Sequence, residues 1–191
     1  MTGYAELKKR RREDYRYMLD YRTRCSPLLV RGGVDMLQSP FAFLSLGLLL
    51  GKSLTRFLRA DNDMYQHMNN SIYNFLYDSV VNTYLIEHCN LLPAGSEQYG
   101  VVVHSHSHYF ASISFPAVAE LALRVNKLGK SSVTYEIALF EKGVGPVRAV
   151  GEFVQVFVER STGRPTATGM TDEMRRGLER IQVAEARENK L

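Results

Sequence analysis

Two carboxylates, a histidine and two asparagines fall within ten residues, at Asp61, Asp63, His67, Asn69 and Asn70, and a strongly apolar stretch follows at once. Polar groups packed against the start of a buried helix cost free energy unless they find partners or do chemistry. This order sets a carboxylate beside a helix N-terminus, whose free backbone N–H groups can hold developing negative charge. A base or nucleophile next to such donors is the minimum equipment for acyl transfer or hydrolysis.

The elements that must position these groups are legible on either side. From Ser71 to His88 the apolar residues repeat with helical period: Ile72, Leu76 and Val80 form one row, and Tyr73, Tyr77, Val81, Tyr84 and Leu85 widen it. A helix this apolar around its circumference is enclosed by other structure. Asn69, Asn70 or Ser71 can cap its start. Beyond it, Gly100 to Phe110, Val118 to Asn126, Ser131 to Glu141 and Pro146 to Glu159 alternate as strands, with short turns at Lys127–Lys130 and Lys142–Gly145. Such links imply an antiparallel meander, because parallel pairing needs longer crossovers. Thr171 caps a last helix, with Asp172 and Glu173 in its first turn. One buried helix plus an antiparallel sheet is an α+β design in which the sheet wraps the helix.

The segment Asp61-Asn62-Asp63-Met64-Tyr65-Gln66-His67-Met68-Asn69-Asn70-Ser71-Ile72-Tyr73 resembles the D-x-D-x-x-G-H-[VM]-N-N-x-x-Y signature of hotdog-fold acyl-CoA thioesterases related to 4-hydroxybenzoyl-CoA thioesterase. Gln66 departs from that pattern, standing where a glycine would permit close approach or a positive φ. The resemblance, over residues 61 to 180, implies the hotdog fold. It also implies an acyl-CoA substrate with no separate cofactor, coenzyme A being part of the substrate, and a homodimer or homotetramer.

By the same resemblance Asp63 is the base or nucleophile. Asp61 is its rival, since both point one way if the segment is extended, although a turn or capping role suits Asp61 better. Backbone N–H groups between Gln66 and Asn70, with the Asn70 side chain, are the expected oxyanion donors. His67 polarises the carbonyl, positions Asp63 or fills space beside the helix. Asp61, Gln66, Met68, Asn69 and Tyr73 are expected around the substrate, with Asn69 also a cap and Tyr73 a pocket wall. Coenzyme A is rich in phosphate and wants a basic rim, for which Arg124, Lys127, Lys130 and Ser131 at one hairpin are the candidates; an ordinary charged turn is the other reading.

His104, His106 and His108 share one face of a strand. The outer two lie about 13 Å apart along it, too far to meet on one ion at about 2.0–2.1 Å, so no metal is expected.

The 191 residues, 45% hydrophobic and 23% charged, suit one domain. Residues 1–16 form a basic extension, 17–180 the thioesterase-like domain with an insertion at 25–59, and 181–191 a charged tail. Two stretches compete for the first strand, Tyr17 to Arg24 and Lys52 to Arg59; the former is preferred. The net charge of +4 owes much to Lys8-Lys9-Arg10-Arg11-Arg12. That run lacks the interleaved aromatics of a base-stacking surface, so it reads as a solvated basic end and nucleic acid is not an expected partner. The apolar window Phe41–Leu50 is ten residues long, and a spanning helix needs about 20. Cys25 and Cys89 read as reduced thiols, placing the protein in the cytoplasm or an organelle matrix. Two other functions compete. A hydratase of enoyl thioesters would want Asn-Pro between the aspartate and histidine, which is missing, and a non-catalytic acyl-thioester or lipid binder would keep the signature as structure.

Overall fold

The computed structural model describes residues 3–22, 61–63 and 65–183. A short helix α1 (Tyr4–Leu7) and a 3₁₀ turn (Arg12–Asp14) precede strand β1 (Tyr17–Arg22). Helix α2 (Asn70–Cys89) follows the signature. Strands β2 (Gln98–Tyr109), β3 (Val118–Leu128), β4 (Ser132–Glu141) and β5 (Val147–Glu159) and helix α3 (Asp172–Glu179) complete the order. The expected insertion at 25–59, the competing strand at 52–59 and the apolar window at 41–50 lie outside the described residues. Tyr21 at the end of β1 donates its hydroxyl to Asp61 Oδ2 at 3.4 Å. The chain is therefore back beside β1 where the description resumes.

All five strands form one antiparallel sheet in the order β1-β3-β4-β5-β2. Only β3-β4-β5 is a meander, so the expectation of hairpins throughout needs correcting. The link from β2 to β3 carries the chain from one side of the sheet to the other. It buries Ile113 completely, and Ile113 accepts the Met68 N–H at 2.8 Å, tying the crossover to the signature loop. A local pattern of alternation cannot distinguish this crossover from a hairpin.

Helix α2 lies across the inner face. Tyr73, Leu76, Tyr77, Val80, Val81, Tyr84 and Leu85 are buried against Leu121, Leu123, Tyr135, Ile137, Phe153 and Phe157. Asn69 caps the helix by accepting the Ser71 N–H at 2.9 Å. Asn90, at φ 52°, ends it in the left-handed region that asparagine tolerates. Thr171 caps α3 as its sequence anticipates, accepting the Met174 N–H at 3.3 Å. This sheet wrapped on a central helix is the hotdog α+β fold.

The outer face is covered by the segment before β1. Leu7 and Tyr15 pack on Ala122, Ala138, Phe140, Val147 and Val150. The basic run is not simply a solvated end. The Arg10 guanidinium bonds Glu136 (2.8 and 3.3 Å), and Arg12 pairs with Glu120 while lying 4.6 Å over the Phe140 ring. Among the described residues no helix is long and apolar enough to cross a membrane.

Candidate active site

The signature forms a closed loop whose bonds centre on Asp63. Its Oδ1 accepts the N–H groups of Tyr65 (2.8 Å) and His67 (3.1 Å). Its own N–H donates to the His67 carbonyl at 2.7 Å, and its carbonyl accepts the Gln66 N–H at 3.2 Å. Asn62 supports the loop from the side, donating Nδ2 to the Gln66 carbonyl at 3.1 Å. The geometry demands a left-handed residue, and Gln66 supplies it at φ 66°. Where the resembled pattern has glycine, a residue with a Cβ thus holds a left-handed backbone, at a cost of about 1–2 kcal/mol.

The two aspartates have different surroundings. Asp61 is buried, beside the Tyr21 hydroxyl, and its carbonyl accepts the Asn69 N–H at 2.8 Å. Asp63 is half-buried, and among the described residues its Oδ2 has no bonded partner. His67 is exposed, and its imidazole makes no hydrogen bond among the described residues.

The backbone donors can be counted off. Gln66 and His67 donate to Asp63, Met68 to Ile113 and Asn69 to Asp61. The N–H of Asn70, first residue of α2, is the member of this series without an acceptor among the described residues, and the Asn70 side chain is exposed beside it. A twenty-residue helix adds its dipole at that point. Of the N–H groups from Gln66 to Asn70, that of Asn70 is the one left open to a ligand among the described residues.

Met68 and Tyr73 are buried walls behind the loop. The Tyr73 ring meets that of Tyr109 edge-on at 4.9 Å, and burial raises the pKa of its phenol. A cleft of about 280 Å³ opens beside the loop, lined by Asn62, Tyr65, Gln66, His67, Ser114 and Phe115. Four of these six were not singled out in the sequence. Tyr65 and Asn62 occupy the variable positions of the signature, and Ser114 and Phe115 come from the crossover, whose proximity no local pattern reveals. Tyr65 (72% exposed) and Phe115 (43%) give the cleft an apolar rim.

The suggested coenzyme A rim lies elsewhere. The β3–β4 hairpin holding Lys127, Lys130 and Ser131 is at the far end of β3 from Phe115, ten residue steps or about 33 Å along the strand. Lys127 and Lys130 are exposed there. Arg124 is not a rim cation: it is buried, and its guanidinium donates to Glu136 at 2.9 Å. Cys89 is a buried free thiol whose pKa burial pushes up to about 12, which keeps it protonated and unreactive. Cys25 lies outside the described residues.

Residues 57–178 match the model of the thioesterase-like superfamily. The chain belongs to that superfamily. The PA5185 protein of Pseudomonas aeruginosa strain PAO1 is 36% identical, with 92% of this chain and 97% of that one covered at a TM-score of 0.70. The dynemicin thioesterase (17% identity, 65% and 91% covered, TM-score 0.59) shares the fold. So does the SAV2348 protein of Staphylococcus aureus, solved in complex with CoA (16% identity, 65% and 80% covered, TM-score 0.58). No curated protein sequence matches the chain.

Proposed function

We propose that this member of the thioesterase-like superfamily hydrolyses the thioester bond of an acyl-CoA, releasing a free acid and CoA. The observation that carries the reading is that, among the described residues, neither Asp63 Oδ2 nor the Asn70 N–H at the start of α2 has a hydrogen-bond partner. The carboxylate attacks the thioester carbonyl or takes a proton from the attacking water, and the Asn70 N–H with the helix dipole holds the oxyanion. His67 and Gln66, on the cleft wall, face the acyl-thioester, with Asn69 and Asn70 framing the helix entrance. The CoA complex of SAV2348 agrees with the ligand class.

The exposed hairpin of Lys127, Lys130 and Ser131 reaches such a substrate only from a second subunit, so the reading includes a homodimer or homotetramer. The edge strand β2 agrees with assembly, since Tyr99, Val101, Val102 and Val103 are exposed along an edge that no strand among the described residues pairs. A cytoplasmic or organelle-matrix location is part of the same proposal.

One observation favours a second reading, a non-catalytic acyl-thioester binder. Asp63 Oδ1 is bonded into its own loop, as a purely structural aspartate would be. Asp63→Asn separates the two readings, because an amide oxygen can still accept both N–H groups while the base is lost. Thiol release across a series of acyl-CoA chain lengths should fall roughly 10²-fold or more in that variant, with an unchanged melting temperature. Absence of turnover in the parent protein alongside retained acyl-CoA binding would establish the binder instead.

A further inference from the structure

Strand β2 changes face part-way along. Gly100 and Val102 pair with Phe157 and Gln155, on the side of the sheet that carries α2, whereas His104, His106 and His108 pair with Val154, Glu152 and Val150 on the outer side. The register shift at Val103 causes the change, because one extra residue reverses the two-residue alternation of everything after it. Without that bulge the histidines would point at the helix. With it, they stand above Glu152 on a surface remote from the signature loop.

His104 Nε2 lies 3.3 Å from His106 Nδ1, and His106 Nδ1 lies 3.8 Å from Glu152 Oε1. All three donor atoms fall within 4.8 Å of one another. Ligands held about 2.0–2.1 Å from a tetrahedral ion are about 3.3–3.4 Å apart, so the histidine pair already has ligand spacing and the carboxylate closes on it by a side-chain movement of about 1 Å. The other outward carboxylate nearby, Glu136, is fully engaged by arginines, which leaves Glu152 to the histidines. His108 is not part of the set: its ring lies 5.4 Å from that of His106 and 5.9 Å from that of Tyr4, but its nitrogens are not among the donor atoms that converge. Strand β5 supplies the third donor in place of the third histidine.

We propose that His104, His106 and Glu152 form a binding site for a divalent transition-metal ion of the zinc class, with water completing the coordination. Neutral imidazoles and a carboxylate suit zinc, cobalt, nickel or copper rather than calcium or magnesium. The ion bridges edge strand β2 to β5 just after the bulge, where the ladder is interrupted. It takes no part in the chemistry at Asp63.

The test uses the full chain with any affinity tag removed and metal stripped by chelation. Zn²⁺ is titrated by calorimetry and Co²⁺ by its visible absorption. One ion per chain should bind, and Zn²⁺ should raise the melting temperature. His106→Ala and the near-isosteric Glu152→Gln should each weaken binding roughly tenfold or more and abolish the thermal shift, while His108→Ala and Asp63→Asn leave both unchanged. Melting curves in chelator confirm that each variant is folded. Absence of stoichiometric binding in the parent chain overturns the proposal, as does binding that Glu152→Gln leaves intact or that His108→Ala removes equally.

Discussion

On the inner face of the sheet, α2 lays the Tyr77 ring on the bare backbone of Gly151; on the outer face, the segment ahead of β1 reaches down to Glu136 with Arg10 and Tyr15. The inner contact is apolar and depends on shape, since a Cβ at Gly151 would overlap the tyrosine ring. The outer contact depends on charge. Glu136 accepts five hydrogen bonds, two from Arg10 and one each from Tyr15, Arg124 and Asn126. Burial alone would make its carboxyl harder to ionise, but the arginines and Asn126 outweigh burial and hold its pKa below the usual carboxylate range. The basic N-terminal run is thereby part of the folded domain. A short segment with few apolar residues gains little by burial, so it is fixed by directional, charge-assisted bonds instead.

The largest expected effect comes from breaking the outer network on one side. Glu136→Leu leaves Arg124 and Arg10 facing a carboxylate that is gone and should destabilise the fold by about 3–5 kcal/mol in chemical denaturation. Replacing Glu136, Arg124 and Arg10 together with apolar residues should recover most of that loss. If the triple variant is as unstable as the single one, packing rather than charge holds that face.

Acid should expose the same difference. A depressed folded pKa means that the stabilisation from Glu136 is fully present above the unfolded carboxylate value, about 4.3, and is lost as pH falls through the folded value. The melting temperature should therefore drop between neutral pH and pH of about 3 by more in the parent protein than in Glu136→Gln. Equal drops would mean that Glu136 does not dominate the acid response.

The inner face should respond to size and not to pH. Gly151→Ala pushes a methyl group into Tyr77 and should cost about 1–3 kcal/mol, the same at neutral and acid pH. A neutral effect would show that α2 can slide on the sheet.

Smaller still is Gln66→Gly in the signature loop. Relief of the left-handed strain, partly offset by a more flexible unfolded chain, should raise stability by about 1 kcal/mol or less. A loss of stability would show that the Gln66 side chain contributes more than its backbone costs. The least effect is expected from deleting residues 25–58. The chain stands beside β1 again at Asp61, and loop-closure cost grows only logarithmically with length. Circular dichroism should show a folded product, and an unfolded one would mean that this segment supplies part of the sheet.

Much of this molecule was readable before the structure. The helix expected from Ser71 to His88 spans Asn70 to Cys89, and the four later strands fall within a few residues of their alternating segments. The preferred first strand, Tyr17 to Arg24, is found as β1 over Tyr17–Arg22, with Tyr17, Leu19 and Tyr21 packed on the core. These features follow from periodicity, which is written into neighbouring residues and needs no knowledge of distant ones. The Asp63–Asn70 cluster was legible for the same reason, since its members are adjacent in the chain.

What lay beyond the sequence depends on contacts between segments far apart in it. The assignment of Arg124 to a substrate rim failed to foresee Glu136 because that pairing is a matter of cross-strand register between β3 and β4. Ser114 and Phe115 reach the cleft only because β2 lies at the far side of the sheet from β1. Composition and local pattern determined which residues form helix and sheet and which few could do chemistry. Tertiary structure alone decided strand order, which arginines are spent on internal carboxylates, and which N–H between Gln66 and Asn70 has no acceptor among the described residues, because each of those is settled by partners that only folding brings within hydrogen-bonding distance.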